Sequence, residues 1–154
     1  MDAWRRLEPG TAPPLQRLKA VRALVDAGLS AGVLMAPIVP GITSHPRLLT
    51  ETMRAIADSG AEFVGANVLR LDPGTREHFL GFLAREYPGL VNGYGNLYAG
   101  GSSEARSDYR AQLRGVVDLV QRRAGLGRRQ RPLDADGTPA PDESDSQGTF
   151  EWKD

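Results

Sequence analysis

Apolar positions along the first 127 residues follow two alternating rhythms. Leu15, Leu18, Val21, Leu24, Val25 and Leu29 recur at helical spacing. Thr11 stands near the N-cap, Pro13 and Pro14 suit a first turn, and Gly28 suits the left-handed position past the end. Ala31 to Pro37 is then a nearly unbroken apolar run of strand length, the pattern of a strand covered on both faces of a parallel sheet. Past the turn Pro40-Gly41-Ile42-Thr43, a second helix is predicted from near Ser44 and Pro46 to Ser59-Gly60, with the stripe Leu48, Leu49, Met53, Ile56 and Ala57. A second strand follows over Glu62 to Leu71. Asp72-Pro73-Gly74-Thr75 then turns into a third helix with Phe79, Phe82 and Leu83, stopped by Pro88-Gly89. Gly93 to Gly101 is predicted as a glycine-and-aromatic loop. A last helix, over about Glu104 to Ala124, carries Tyr109, Leu113, Val116, Val117 and Val120, with Gly125 as its cap.

Helices alternating with strands through short connections predict right-handed parallel βαβ units. The fold class is α/β. Two parallel strands and about four helices cannot close a sheet without leaving open edges. The chain therefore reads as the C-terminal portion of a larger α/β protein.

Composition changes along the chain. Residues 1–127 hold 15 Lys or Arg against 12 Asp or Glu, whereas residues 128–154 hold 4 against 7. The second segment is rich in Pro, Asp, Ser and Gly and has no apolar periodicity before Phe150 and Trp152, so it is predicted to be a disordered acidic tail. A formal net charge of zero gives no support to duplex binding. The longest apolar run, Ala31 to Ile42, is too short for a bilayer span and is broken by Pro37 and Pro40, and the residues after Met1 do not resemble a signal peptide. The expected location is cytoplasmic. The chain has no cysteine, which excludes disulfides, a cysteine nucleophile and an ordinary iron–sulfur cluster held by its own residues. Two histidines, His45 and His78, leave little material for a metal site, and none is predicted.

One series of segments carries a resemblance. Trp4 to Thr11, Arg17-Leu18, Ala27-Gly28-Leu29 and Val33 to Gly41 are followed by Ser59-Gly60-Ala61, Leu69 to Gly74, Arg76-Glu77 and Phe82-Leu83 running to Tyr87-Pro88. Leu97-Tyr98, Tyr109-Arg110 and Gly125-Leu126 continue it. In this order and spacing they resemble radical SAM proteins of the spore-photoproduct-lyase-like, "DNA repair photolyase" type, over about residues 4–127. The resemblance implies a (β/α)6 partial TIM-type barrel. Its [4Fe–4S] cluster, on a CxxxCxxC loop, cleaves S-adenosylmethionine to a 5′-deoxyadenosyl radical. It also implies that Met1 lies near the end of the fourth strand and that the two readable strands are the fifth and sixth. Because the chain lacks cysteine, the implied partner is an N-terminal half bearing CxxxCxxC, and no cofactor is expected in this chain alone. A nucleic-acid substrate follows from the family label only.

On that resemblance the expected site lies where Glu8, Pro37 to Gly41 and Asn67 to Arg70 converge at the C-terminal ends of strands. Pro37, Ile38, Val39 and Gly41 offer backbone and apolar walls to an adenine; a rigid strand-to-helix turn is the alternative, and one turn serves both. Asn67 shares a strand face with Phe63, Gly65 and Leu69, and either reaches cofactor or substrate or is a buried amide satisfied by backbone. Arg70 faces a carboxylate or phosphate, or forms an ion pair with Glu8 or Asp72. Glu8 bonds a ribose hydroxyl or pairs with Arg5 or Arg6. Ile38, Val39 and Leu69 supply apolar contact to the adenosyl group. Tyr94 and Tyr98 either contact substrate or pass hydrogen atoms, or else plug the open end of the barrel, and both histidines are expected to be exposed at helix starts. Two functional classes follow. One is the half of a radical SAM enzyme that provides cofactor and substrate walls and is inactive alone. The other is a non-catalytic α/β module that completes a sheet by docking on a partner chain.

Overall fold

The computed structural model describes residues 2–127, with side chains from Trp4 onward; the expected acidic tail lies outside them. Six α-helices and two strands follow one another as α1 (Asp2–Leu7), α2 (Pro14–Asp26), β1 (Gly32–Ile38), α3 (Pro46–Asp58), β2 (Phe63–Val68), α4 (Thr75–Glu86), α5 (Val91–Leu97) and α6 (Ser107–Arg123), with 3₁₀ turns at Pro88–Leu90 and Ala99–Gly101. The α/β class and the parallel pairing of β1 with β2 are as expected. The two strands run in register from Gly32 opposite Phe63 to Met35 opposite Ala66, and a bulge then shifts Ile38 opposite Val68. Pro37, which has no N–H to give a ladder, sits in that bulge after a cis peptide. Gly32 permits the close pairing, since a Cβ there would fall 2.3 Å from the Phe63 ring.

Two apolar cores hold the unit. In the first, Leu49, Met53 and Ile56 of α3 and Leu113, Val117 and Val120 of α6 pack on Val64 and Ile38. This stripe of α3 matches the predicted one, except that Leu48 is 42% exposed. The second core joins Leu69 and Leu71, just beyond β2, to Phe79, Phe82 and Leu83 of α4 and Tyr94 of α5, with Tyr98.

Four expectations are corrected. The strands are not covered on both faces: Val33, Met35, Ala66 and Val68 pack on the first core, but Leu34 on the opposite face is 68% exposed, and Ala36 and Asn67 are exposed beside it. Continuous apolar sequence signalled burial of two faces, while the described elements cover one. The predicted loop at 93–101 is largely α5, because Tyr94, Leu97 and Tyr98 fall on one helical face and anchor it despite Gly93 and Gly95. The chain before Glu8 is helix rather than the end of a strand. The last helix begins at Ser107, leaving Glu104 in the turn ahead of it.

Candidate functional site

The eight expected site residues fall in several surroundings in the fold. Glu8 follows α1, where Arg17 Nη2 donates to its Oε2 at 2.6 Å and Thr11 Oγ1 donates to the same oxygen at 3.2 Å. The hydrogen bond from Arg17 holds the Glu8 carboxyl below its ordinary range. Its partner is thus Arg17, not Arg5, Arg6 or Arg70. Val39 and Leu69 are buried in the second core and Ile38 in the first, so these side chains pack protein.

The strand-end backbone is also engaged. Leu69 N–H donates to the Ile38 carbonyl at 2.9 Å, and Ile42 and Thr43 donate to the Val39 carbonyl. Val39 N–H donates to Thr43 Oγ1 and Gly41 N–H to Ser44 Oγ. Gly41 holds φ +74°, and a Cβ there would sit 3.1 Å from Leu90, so its glycine serves the turn. Tyr94 Oη donates to the Pro40 carbonyl at 2.8 Å and Tyr98 Oη to the Leu69 carbonyl at 2.7 Å. The two rings stack with centroids 5.6 Å apart. Both hydroxyls are thus engaged by strand-end carbonyls.

Burial pushes the Tyr98 phenol up to about 12 and Tyr94 upward as well. An unfolded tyrosine ionises near 10. The preference for the neutral form is therefore fully present below about pH 10 and is lost as pH rises from about 10 towards about 12. Tyr98→Phe removes the donor to Leu69 and one such titration. It is expected to cost roughly 1–3 kcal/mol at neutral pH and to make the alkaline loss of stability shallower, with Tyr94 sustaining the remainder. Melting temperatures from pH 8 to 11.5 check this; an unchanged alkaline decline would contradict it.

Asn67, Arg70, Ile38 and Leu69 do meet. They line a cleft of about 660 Å³ between the outer edge of β2 and α6. At one end of it is an ion-pair chain, of which only the Arg70–Asp72 link was anticipated. Arg70 donates to Glu104 Oε1 at 2.6 Å and to Asp72 at 3.3 Å, and Arg110 Nη1 lies 2.8 Å from Glu104 Oε2. Hydrogen bonds from Ser103 and Arg70 hold Asp72 below the usual carboxylate range. The Nε of Arg110 is buried with no partner among the described residues. The ion pair of Arg70 with Asp72 is one of the two anticipated, whereas Glu104 is 34 residues away and left no local signal. At this end two guanidinium groups, of Arg70 and Arg110, share the Glu104 carboxylate, and Arg70 is also paired with Asp72.

His45 caps α3, accepting from Arg47 N–H through Nδ1, and is exposed, as is His78. Among the described residues no group of three or more His, Cys, Asp or Glu could hold a metal ion. With no cysteine in the chain, the donor set does not fit an iron–sulfur cluster. No helix of the described residues is long and apolar enough to cross a membrane.

No protein-family model matches the chain, and no solved structure matches it. It is similar to uncharacterized proteins of Mycobacterium bovis and of two Mycobacterium tuberculosis strains, each 37% identical over 145 residues. The alignment covers 94% of this chain and 40% of each relative, so the chain spans well under half the length of the curated relatives it matches.

Proposed function

We propose that this chain is one wall of a radical SAM-type partial barrel, providing surface to S-adenosylmethionine and substrate while a CxxxCxxC-bearing half supplies the cluster. The observation that carries this reading is the one-sided parallel pair: helices cover one face of β1 and β2, while Leu34, Ala36 and Asn67 stand bare on the other. A barrel wall needs that asymmetry, with helices outside and a ligand-facing surface inside. The sequence resemblance supplies the chemistry, and the greater length of the mycobacterial relatives leaves room for the missing half. The adenosyl contacts are reassigned to the bare face around Ala36, Pro37 and Asn67, because Ile38, Val39 and Leu69 pack into the cores. Arg70, at the rim, faces a cofactor or substrate carboxylate. This chain's own residues, which include no cysteine, do not fit the cluster.

The alternative, a non-catalytic docking module, draws on α2. None of its residues is buried, and Leu15 and Leu24 are 55% and 46% exposed. Both readings require a partner; turnover separates them.

In the chain combined with the cysteine-bearing half, Arg70→Ala is expected to lower 5′-deoxyadenosine production about tenfold or more. The melting temperature should change little, because exposed ion pairs contribute only about 0.2–1 kcal/mol. Unchanged turnover with a large fall in melting temperature would make Arg70 a structural residue.

A further inference from the structure

The two layers of this unit differ in width. Arg22 of α2 donates to the Asp58 carbonyl at the end of α3, α3 packs on α6, and α6 packs on β2, so the helices stand in the order α2, α3, α6. Helix axes about 8–10 Å apart make that layer roughly 16–20 Å across, whereas two paired strands span about 5 Å. The helices therefore overhang both edges of the sheet. On the β2 edge the chain itself returns. Gly127 bridges to Phe63, and its carbonyl accepts from Val64 N–H at 3.2 Å and from Gln121 Nε2 at 2.8 Å. The β1 edge, on the side of α2, has no strand beside it among the described residues.

That edge is built for pairing. Val64 N–H points at Gly127 and so away from β1. In the observed register Val33 and Met35 then bond β2, while Gly32 and Leu34 turn their N–H and C=O groups to the open edge. No residue from Gly32 to Ile38 is charged, and Leu34 is 68% exposed, so the edge lacks the charges that keep a strand from pairing. At this end of the first core Leu18, Val21, Val33 and Met35 are only partly buried. We propose that a strand of the partner half pairs with β1 along this edge, on the side of α2, and that the two halves join there rather than at β2. The length of the relatives argues for this occupant: the 145 aligned residues are 40% of each, so most of each relative lies outside the match. The strand it supplies is apolar on its helix side, where it completes the burial of Val33 and Met35. The existence of that half rests on the proposed function; the choice of edge does not.

Amide hydrogen exchange tests the choice. Residues 1–154 are co-produced with the part of the Mycobacterium bovis relative that lies outside the alignment, and the complex is compared with the chain alone. The Leu34 amide should exchange about tenfold or more slowly in the complex, and the Ala66 amide on the β2 edge should be unchanged. Leu34→Pro deletes the outward N–H at a position where an edge strand tolerates proline, and should weaken the complex about tenfold or more. Leu34→Ala, which keeps that N–H, should leave it within about threefold, with the Met53 amide in α3 reporting that each variant is folded. No complex, protection at Ala66 in place of Leu34, equal weakening by both variants, or equal Leu34 protection in the chain alone (a second copy on the edge) would overturn the proposal. A complex protected at Leu34 yet unable to cleave S-adenosylmethionine would uphold the docking edge and overturn the radical SAM reading.

Discussion

Met53→Ala is expected to destabilise the chain by roughly 2–5 kcal/mol, the range for removing most of a fully buried side chain from a packed core. Met53 is 0% exposed, and it lies among Leu49 and Ile56 of its own helix and the core residues of α6 and β2. Those neighbours come from two helices and the sheet, so the cavity cannot be closed by one side chain relaxing. A domain of this size commands about 5–15 kcal/mol in all, and one with a bare sheet face sits towards the lower end. Urea denaturation is expected to show a large drop in midpoint for Met53→Ala. Leu48→Ala, at an exposed position of the same helix, should cost less than about 1 kcal/mol. Comparable small losses at both sites would mean that α3 is not the central packing element.

The second large effect concerns association. Leu15, Leu24, Leu29 and Leu34 are between 46% and 68% exposed, and β1 offers a free edge next to Leu34 among the described residues. A hydrophobic edge and face of this kind invite pairing with other chains. Produced by itself, the chain is expected to be poorly soluble or oligomeric. Leu24→Lys combined with Leu34→Thr should move it towards monomer in analytical ultracentrifugation, by charging the face of α2 and reducing the apolar surface beside the edge. A monomeric parent chain with one sharp, concentration-independent melt would contradict this.

Periodicity made much of this fold readable, but only where one rhythm dominated. Leu49, Met53 and Ile56 repeat so regularly that α3 is evident, as is α6 from Leu113, Val117 and Val120, but periodicity does not say that the two helices pack on each other. The strands were visible as apolar runs, yet such a run looks the same whether one face or two are covered, so the bare face of Leu34 was hidden. Helix α5 was masked by Gly93 and Gly95, whose low helix propensity is outweighed by Tyr94 and Tyr98 bonding to the strand ends. The turn at Pro37 to Gly41 was legible as a turn, but which groups it leaves free depends on distant partners such as Tyr94. Arg70 stood out as a charge among apolar neighbours. Glu104, which joins it to Arg110, could not be found, because that pairing exists only once β2 and the turn before α6 come together.

In the proposed reading, this chain is one wall of a larger barrel whose other half carries the cluster. The most direct measurement is S-adenosylmethionine cleavage by the co-produced halves, compared with each half alone and read together with iron content and complex formation. A single complex is expected, with iron held by the cysteine-bearing half and 5′-deoxyadenosine formed only when both chains are present. Cleavage at the same rate by the cysteine-bearing half alone, or failure of the two chains to associate, would contradict it.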